Sequence, residues 1–152
     1  MKKIKLSKGK FAIVDDKDFE RLSKKKWHFT LYARRSVVEN GKRKSSLMQW
    51  EVLGKPRKGL QVDHVNGDKL DNRRKNLRIA TPSQNRVNSV KPKNNTSGYK
   101  GVIWNRICKK WIAKTSFNKK LIFLGYFTSK LDAYKAYCEA CVKYHKEYAR
   151  VK

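Results

Sequence analysis

Short apolar runs separated by polar turns dominate the first third of the chain and predict strands. The run KFAIVDD is an apolar strand that ends in acidic residues, after which Asp16 is expected to cap a short helix through about Ser23. WHFT and YARRSVV follow as further strand candidates. Asn40-Gly41 then separates two such runs, which is the strongest short-range hairpin signal, and the returning strand is expected from about Lys44 to Gln49. We therefore predict a strand-rich region over residues 1–46.

The central part of the chain predicts a strand, a loop, a second strand and a helix, in that order. The first strand is Val62 to Val65, the turn is Asn66-Gly67-Asp68, and the second strand is Leu77 to Ala80. Thr81-Pro82-Ser83-Gln84 then provides an N-cap, a proline at the first helical position and a glutamine three residues after the cap. Asn85 is therefore expected in the first turn of that helix.

The last part of the chain predicts a three-stranded antiparallel sheet covered by one helix. Residues 89–97 are rich in Pro, Asn, Ser and Lys and read as a linker before residues 98–152. GYKGVIW, KKWIAKTSF and KKLIFLGYF are strand-like runs separated by basic turns, and Ser129 is a plausible N-cap for the helix that follows. Residues of one helix face recur there at three- and four-residue spacing: Tyr134, Tyr137, Cys141, Tyr144 and Tyr148. The predicted fold class is α+β, as a small basic chain of several modules.

The charge of the chain points to a polyanionic partner. Lys and Arg number 39 against 12 Asp and Glu, a net charge of +27, and residues 1–46, 47–97 and 98–152 are each strongly basic. Nucleic acid is the commonest partner that offsets such self-repulsion. No run approaches the roughly 18 apolar residues of a spanning helix, which argues against a membrane. The absence of a secretory signal and the odd number of cysteines, three, predict an intracellular, cytoplasmic protein.

Two cysteines form a Cys-x-x-Cys pair within the predicted last helix. Three-residue spacing places Cys138 and Cys141 on one helix face, so packing against the sheet is favoured over metal binding. Cys108 and His145 could complete a four-ligand zinc set, although nothing in their spacing requires it.

Candidate chemistry concentrates in the central segment. Asp63 supplies a carboxylate and Asn85 an amide carbonyl, the hard oxygen ligands that a partly hydrated Mg²⁺ accepts. His64 has the residue type of a general base at neutral pH. Neighbouring residues of a regular strand point to opposite faces, so Asp63 and His64 are not expected to face one ion together unless the strand is distorted.

The central segment resembles the HNH nuclease motif of phage-encoded and intron-encoded homing endonucleases. The matching features are Asp63-His64 in the first strand, Asn76-Leu77 at the second and Asn85 in the helix. The resemblance implies a ββα-metal module over residues 47–88, with Asp63 and Asn85 as ligands of one Mg²⁺ (or Mn²⁺) and His64 as the base. It makes Asn76 the residue that ties the loop and orients His64, and it implies 5′-phosphate and 3′-hydroxyl ends. One active site per chain predicts nicking, or double-strand cutting only where two copies meet. Relatives often carry His just before the motif, where this chain has Gln49.

Residues 98–152 resemble the DNA-binding domain of plant ethylene-response factors, which also occurs beside HNH motifs. The similarity rests on GYKGV, on two tryptophans, on LGYF and on the alanine-rich start of the helix. It implies a sheet that enters the major groove of double-stranded DNA through Lys100, Trp104, Arg106, Trp111, Lys114 and Ser116. Strand alternation puts Trp111 and Lys114 on opposite faces, so one of the two is expected to be structural.

Basic residues also crowd the predicted N-terminal hairpin, either along a DNA backbone or as a solvated charged surface: Arg34, Arg35, Lys42, Arg43 and Lys44. The leading hypothesis is therefore a DNA endonuclease of the homing type that acts as a monomer on DNA without an evident protein partner. Two alternatives remain open: an inactive DNA-binding protein that retains the HNH scaffold, which Gln49 favours, and an RNA- or ribosome-associated basic protein.

Overall fold

A computed structural model describes residues 1–151, and the chain separates into two compact units, Met1–Ala80 and a second that begins at Thr81. The predicted α+β class is confirmed. The strands are β1 (Lys2–Lys5), β2 (Phe11–Val14), β3 (His28–Phe29), β4 (Ala33–Glu39), β5 (Lys42–Leu47), β6 (Gln61–His64), β7 (Leu77–Ala80), β8 (Val102–Asn105), β9 (Lys110–Phe117) and β10 (Lys120–Phe127). The α-helices are α1 (Asp16–Ser23), α2 (Met48–Leu53), α3 (Pro82–Asn88) and α4 (Lys130–His145). The boundary between units falls inside the 47–88 module, whose limits stay a prediction.

The first unit contains three small antiparallel sheets around one apolar core. β1 pairs with β2, β4 lies between β3 and β5, and β6 pairs with β7. Asn40 and Gly41 have φ angles of 53° and 70°, which confirms the predicted two-residue hairpin turn between β4 and β5. The core is formed by residues of several elements, among them Val14, Leu22, Ala33, Met48 and Leu77.

Two expectations for the first unit are corrected. The strand predicted to return through Gln49 ends at Leu47, and the helix α2 begins at Met48, so Gln49 is helical. The reason is that Met48 and Val52, one helical turn apart, are both buried in the core. The N-cap position of α1 is held by Asp15 without a side-chain hydrogen bond, and Asp16 is the first helical residue rather than the cap.

The second unit begins with α3 and contains the predicted sheet and covering helix. Thr81 and Gln84 form the predicted capping box at the start of α3. β9 is the central strand between β8 and β10, and α4 packs against the sheet. The Ser129 hydroxyl accepts hydrogen bonds from two backbone amides of α4, which confirms it as the N-cap. Among the described residues no helix is both long and apolar enough to span a bilayer.

Candidate active site

Asp63 and His64 lie next to each other in β6, and both side chains are almost fully buried. Asp63 is 3% exposed and His64 is 4% exposed. The antiparallel register places Asp63 opposite Arg78 and His64 opposite Leu77 of β7. Because the register is continuous, the two side chains leave opposite faces of the hairpin, as strand alternation predicted. Arg78 Nε donates a hydrogen bond of 2.9 Å to the Asp63 carboxylate.

The imidazole of His64 packs in a pocket that contains both aromatic and polar partners. Its Nε2 lies 3.4 Å from Oδ1 of Asn72, whose side chain is fully buried. The ring centroids of His64 and Tyr32 are 6.0 Å apart. The ammonium of Lys69 lies over the Tyr32 ring, 5.0 Å from its centroid. Burial lowers the pKa of His64 below its usual value, although the Asn72 contact and the nearby carboxylates act in the opposite direction. The imidazole is therefore neutral at neutral pH.

Asn76 ties the two ends of the loop between β6 and β7 together. Its Oδ1 accepts a hydrogen bond of 2.9 Å from the backbone N–H of Asn66, and its Nδ2 donates one of 2.8 Å to the backbone oxygen of Asp71. The backbone oxygen of Asn76 accepts a third bond from Val65, the residue directly after His64. The sequence resemblance implied that Asn76 ties the loop in this way. That these bonds orient His64 stays a prediction.

The same loop is fastened to the N-terminal sheet at β2. The backbone N–H of Ile13 donates to Leu70, and the backbone oxygen of Ile13 accepts from Asn72, both at 2.8 Å. Asp71 lies between them and binds the guanidinium of Arg73, which lowers the pKa of its carboxyl group. Asn72 therefore reaches His64 from a segment held by the edge of another sheet.

An ion-pair cluster on α1 supports the next stretch of the loop. The buried Asp18 carboxylate accepts two hydrogen bonds from Arg74, of 2.9 and 3.0 Å, and one from Arg21. Asp15 accepts a further bond of 2.8 Å from the backbone N–H of Arg74. The bond from Arg74 is the main reason that the pKa of Asp18 lies below its ordinary value. The N-terminal region thus serves the site as a scaffold, a role that its basic composition did not reveal.

Sequence reasoning missed Asn72, Asp71 and Arg78 as members of the site. Asp71-Asn72 follows the Asn66-Gly67-Asp68 turn closely, and a run of short polar residues in a loop is the signal that could have marked it. Arg78 could have been found as the cross-strand partner of Asp63 once the hairpin register was assumed.

Asn85, the second predicted metal ligand, lies in the first turn of α3 in the second unit. Its backbone N–H donates a hydrogen bond of 3.0 Å to the backbone oxygen of the N-cap residue Thr81. Proline at the first helical position and the capping box fix where this turn starts. The predicted place of Asn85 is thereby confirmed, and its role as a ligand stays a prediction.

The donors of the first unit suit a hard, partly hydrated cation. Among the described residues no cluster of three or more His, Cys, Asp and Glu side chains could hold a metal ion. Asp63 nevertheless offers a buried carboxylate, and Mg²⁺ keeps several waters and needs only one or two protein oxygens. A carboxylate donor therefore fits Mg²⁺ or Mn²⁺ better than zinc, which prefers sulfur and nitrogen.

The predicted DNA-contacting residues of the first hairpin differ in their surroundings. Arg34 is exposed and donates to the Ser45 hydroxyl, and Lys44 pairs with Glu39 at the hairpin end. Arg35 is half-buried, pairs with Glu51 and lies over the Trp27 ring. Lys42 and Arg43 are exposed beside Lys44. Arg35 thus has structural contacts in its own unit, and the DNA contacts of all five stay a prediction.

In the second unit the predicted DNA-contacting residues fall on both sides of the sheet. Trp104 and Trp111 are cross-strand neighbours with ring centroids 4.9 Å apart, and Trp111 packs on the core. Lys114 alternates with the buried Ala113 and Thr115, so it faces away from α4, and Ser116 shares its side. Arg106 is exposed in the turn after β8. Trp111 and Lys114 lie on opposite faces, as predicted.

Lys100 is engaged within the second unit. Its ammonium donates to the backbone oxygens of Arg86, Val87 and Ser89, at the end of α3, at 3.0, 2.6 and 2.6 Å. Burial lowers the pKa of Lys100 to about 8. These bonds satisfy carbonyls that a helix end leaves without partners. A DNA contact by Lys100 stays a prediction.

Cys138 and Cys141 pack in the core of the second unit, whereas Cys108 does not. Cys141 is buried with its sulfur 3.8 Å from the Thr115 hydroxyl, and Cys138 packs on the same core. Cys108 is exposed in the turn between β8 and β9. This arrangement agrees with the expectation that Cys138 and Cys141 pack against the sheet.

Comparisons with known proteins connect this geometry to a nuclease family. Residues 51–87 match the family described as HNH endonuclease. The chain is 41% identical over 63 residues to Protein 3.8 of Escherichia phage T7, covering 41% of this chain and 52% of that protein. It is 34% identical over 97 residues to an HNH endonuclease of Acanthamoeba polyphaga mimivirus, covering 62% and 50% of the two chains. The chain thus spans about half the length of these curated relatives. No solved structure matches it.

The family match falls on β6, β7 and the first turns of α3, within the segment that the sequence resemblance had marked as the HNH module. The matched family is one of endonucleases. The resemblance of residues 98–152 to plant DNA-binding domains has no counterpart in these matches and stays a prediction.

Proposed function

We propose that this protein is a DNA endonuclease of the homing type that nicks duplex DNA by single-metal HNH chemistry. His64 is the general base, Asp63 and Asn85 are the ligands of one Mg²⁺ or Mn²⁺, and Asn76 positions the loop that carries His64. The observation that carries the proposal is a buried imidazole, next to a loop that Asn76 ties, within a segment that matches HNH endonucleases.

His64 accepts a proton from the attacking water. The water oxygen forms a bond to phosphorus while the bond from phosphorus to the 3′ oxygen breaks, which leaves a 5′-phosphate and, after protonation by solvent, a 3′-hydroxyl. The lowered pKa of His64 keeps the imidazole in the form that accepts a proton at neutral pH. A divalent cation, when bound, supplies positive charge that stabilises the charged phosphate and leaving oxygen.

Asn72 and Asn76 position this base without touching the reacting atoms. Asn72 offers a carbonyl oxygen to Nε2 of His64, so a proton on Nε2 would leave the lone pair on Nδ1 to accept the water proton. Asn76 fixes the backbone on both sides of the turn that follows His64. Asn85 is included because the family match covers it together with Asp63.

Supercoiled plasmid incubated with Mg²⁺, Mn²⁺ or EDTA tests the proposal. Relaxation is expected with either metal and not with EDTA, and His64→Ala is expected to abolish it while DNA binding persists. His28→Ala is the matched control, because His28 is an exposed histidine in β3 of the same unit. Equal cleavage by His64→Ala and the intact chain would refute the assignment of the base.

One observation favours a second function, that of a DNA-binding protein without cleavage activity. Gln49 occupies the position where relatives often carry His, it is 3% exposed, and its Oε1 has no hydrogen-bond partner. Tight, salt-sensitive DNA binding without cutting at any metal concentration would support this function. Restored cutting by Gln49→His would show that the missing His is the cause.

DNA binding is proposed to involve both units. The basic hairpin of the first unit would follow phosphates, and residues 98–152 would bind as a separate module in the manner of ethylene-response factors. Phosphate contacts by Lys and Arg make binding weaken steeply with salt. We expect the logarithm of the binding constant to fall linearly with the logarithm of the salt concentration, with a slope of several units. We also expect one chain to bind each DNA molecule.

A further inference from the structure

The sheet of the second unit exposes an apolar and aromatic surface on the side away from α4. We call it the outward face and define it as Ile103, Ile112, Lys114, Leu121, Phe123 and Tyr126. Ala113 and Thr115 of β9 are buried under α4, so the alternating residues Ile112 and Lys114 point the other way. The cross-strand register places Ile103 and Tyr126 on either side of Ile112, and Phe123 beside Lys114.

An irregularity in β10 brings two aromatic rings together on this face. Phe123 and Tyr126 are three residues apart, and in a regular strand they would point to opposite sides. The register shifts between Phe123 and Gly125, where Gly125 has a φ of 130°, so one extra residue is inserted and both rings face outward. Their centroids are 5.1 Å apart, and the two residues are 54% and 50% exposed.

The surroundings of the outward face favour a polyanion with apolar faces. Residues 98–129, which form the sheet and its turns, contain seven Lys and Arg and no Asp or Glu. A second copy of this chain would carry the same positive charge and would be repelled. A nucleic acid strand offers both phosphates for the basic residues and flat bases for exposed rings.

The polar groups of the face indicate which form of nucleic acid it accepts. Reading base edges in a duplex groove needs hydrogen-bonding side chains, typically Arg, Asn or Gln. Strand alternation puts Lys110, Lys114 and Ser116 of β9 on this side. Asn105 of β8 also lies there, but its side-chain oxygen accepts hydrogen bonds from the backbone N–H groups of Ile107 and Cys108. Leu121, Phe123 and Tyr126 present apolar surface. Unpaired bases stack on aromatic side chains whatever their sequence.

We propose that the outward face binds unpaired bases of single-stranded DNA by stacking them on Phe123 and Tyr126, with Lys114 pairing with a phosphate. The second unit would then hold a melted or displaced strand with the two rings of β10, in addition to the duplex contacts proposed for residues of β8, β9 and the turn between them. This site goes beyond the proposed nicking activity and does not depend on it.

Fluorescence anisotropy with a labelled 12-nucleotide thymidine oligomer, and with a duplex of the same length, tests the proposal in EDTA with the full chain. The variant carrying Phe123→Leu and Tyr126→Leu keeps apolar side chains but loses both rings. It is expected to bind the single strand at least about 5-fold more weakly, since the loss of one stacked ring costs roughly 5- to 150-fold, and to bind the duplex almost unchanged.

Three matched variants separate stacking from other effects. Tyr126→Phe retains the ring and is expected to bind like the intact chain. Val142→Ala changes a similarly exposed apolar residue of α4 and is expected to have no effect. Lys114→Ala is expected to lower the salt slope for the single strand by about 0.7, the value for one phosphate contact. Thermal unfolding of each variant checks that the exposed substitutions leave the fold intact.

Four results would overturn the proposal. They are unchanged single-strand affinity of the double Leu variant, an equal loss on the duplex, tighter ring-dependent binding of a uridine oligomer, and a dimer in light scattering that the double Leu variant abolishes. His64→Ala should bind the thymidine oligomer normally. Failure of plasmid cleavage in a separate assay would therefore refute the nuclease and leave this site standing.

Discussion

Removing the side chain of Asn76 tests whether the tied loop is what makes His64 competent. In Asn76→Ala the backbone N–H of Asn66 loses its acceptor and the backbone oxygen of Asp71 loses its donor. A buried polar group left unpaired costs about 1–3 kcal/mol. The bond to Asp71 is buried and the bond to Asn66 is partly buried, so water can replace part of the second one. We expect a loss of roughly 2–4 kcal/mol, concentrated in the loop.

Four measurements follow this loss from the loop to the reaction. Urea unfolding gives the change in free energy, and hydrogen exchange at the Asn66 amide reports local opening. Plasmid nicking with Mg²⁺ is expected to slow by more than about 10-fold, because a misplaced base loses most of its contribution. Duplex binding in EDTA is expected to stay unchanged, which distinguishes a positioning role from a general loss of the fold.

Two variants serve as controls for Asn76→Ala. Asn76→Asp keeps an oxygen to accept from Asn66 but places a charged oxygen against the backbone oxygen of Asp71 at a buried position, so it is expected to be no more stable than the alanine variant. Asn94→Ala changes an exposed asparagine and is expected to have almost no effect. Wild-type nicking by Asn76→Ala, with unchanged exchange at Asn66, would refute the reasoning.

Two further predictions concern stability. Gly101→Ala places a Cβ 2.0 Å from Cδ2 of Tyr137 at a φ of 76°, whereas Gly98→Ala has a similar φ of 82° and open space. Both substitutions are expected to lower the melting temperature, and Gly101→Ala should lower it further, because overpacking costs about 1–3 kcal/mol of the free energy of unfolding. Equal shifts in the two variants would contradict this. Arg74 lowers the pKa of Asp18 in the folded protein. The Asp18–Arg74 pair therefore stabilises the fold fully at pH values above the pKa of Asp in the unfolded chain, near 4, and this stabilisation is lost as the pH falls through the lower pKa of the folded state. Urea unfolding of Asp18→Asn from pH 2 to 7 should show a shallower pH dependence, and an unchanged slope would exclude the pair as its source.

The elements with local signals could be predicted from the sequence. Thr81, Pro82 and Gln84 specify the start of α3 by side-chain and backbone chemistry within four residues, and Asn40-Gly41 specifies a hairpin turn in the same way. The order of β6, loop, β7 and α3 followed from such signals. These are features in which the residues that decide the structure are neighbours along the chain.

The helix α2 could not be predicted because its residues carry no comparable signal. It is six residues long, less than two turns, which is too short for a helical apolar period to stand out in MQWEVL. Its N-cap, Leu47, makes no side-chain capping bond. Packing into the core of the first unit, which the sequence does not display, decides between helix and strand there.

The support of the candidate site also depends on contacts between distant parts of the chain. Ile13 is hydrogen-bonded to Asn72, which lies 59 residues further along the chain, and Asp18 is paired with Arg74, which lies 56 residues further along. No local pattern indicates which polar residue of the loop will reach an edge strand, since Asn, Asp and Arg are common in loops for many reasons. The sequence could therefore name the base and the predicted ligands, but not the groups that hold them.

The arrangement of β6 explains why these supports are separate. A regular strand directs Asp63 and His64 to opposite faces, so one set of neighbours cannot position both. Arg78, opposite Asp63 on β7, holds the carboxylate, while Asn72, carried by the loop that β2 fastens, meets the imidazole. Two groups held by different neighbours on one strand keep a fixed separation. A scaffold of this kind lets a change in one support disturb the carboxylate or the base alone.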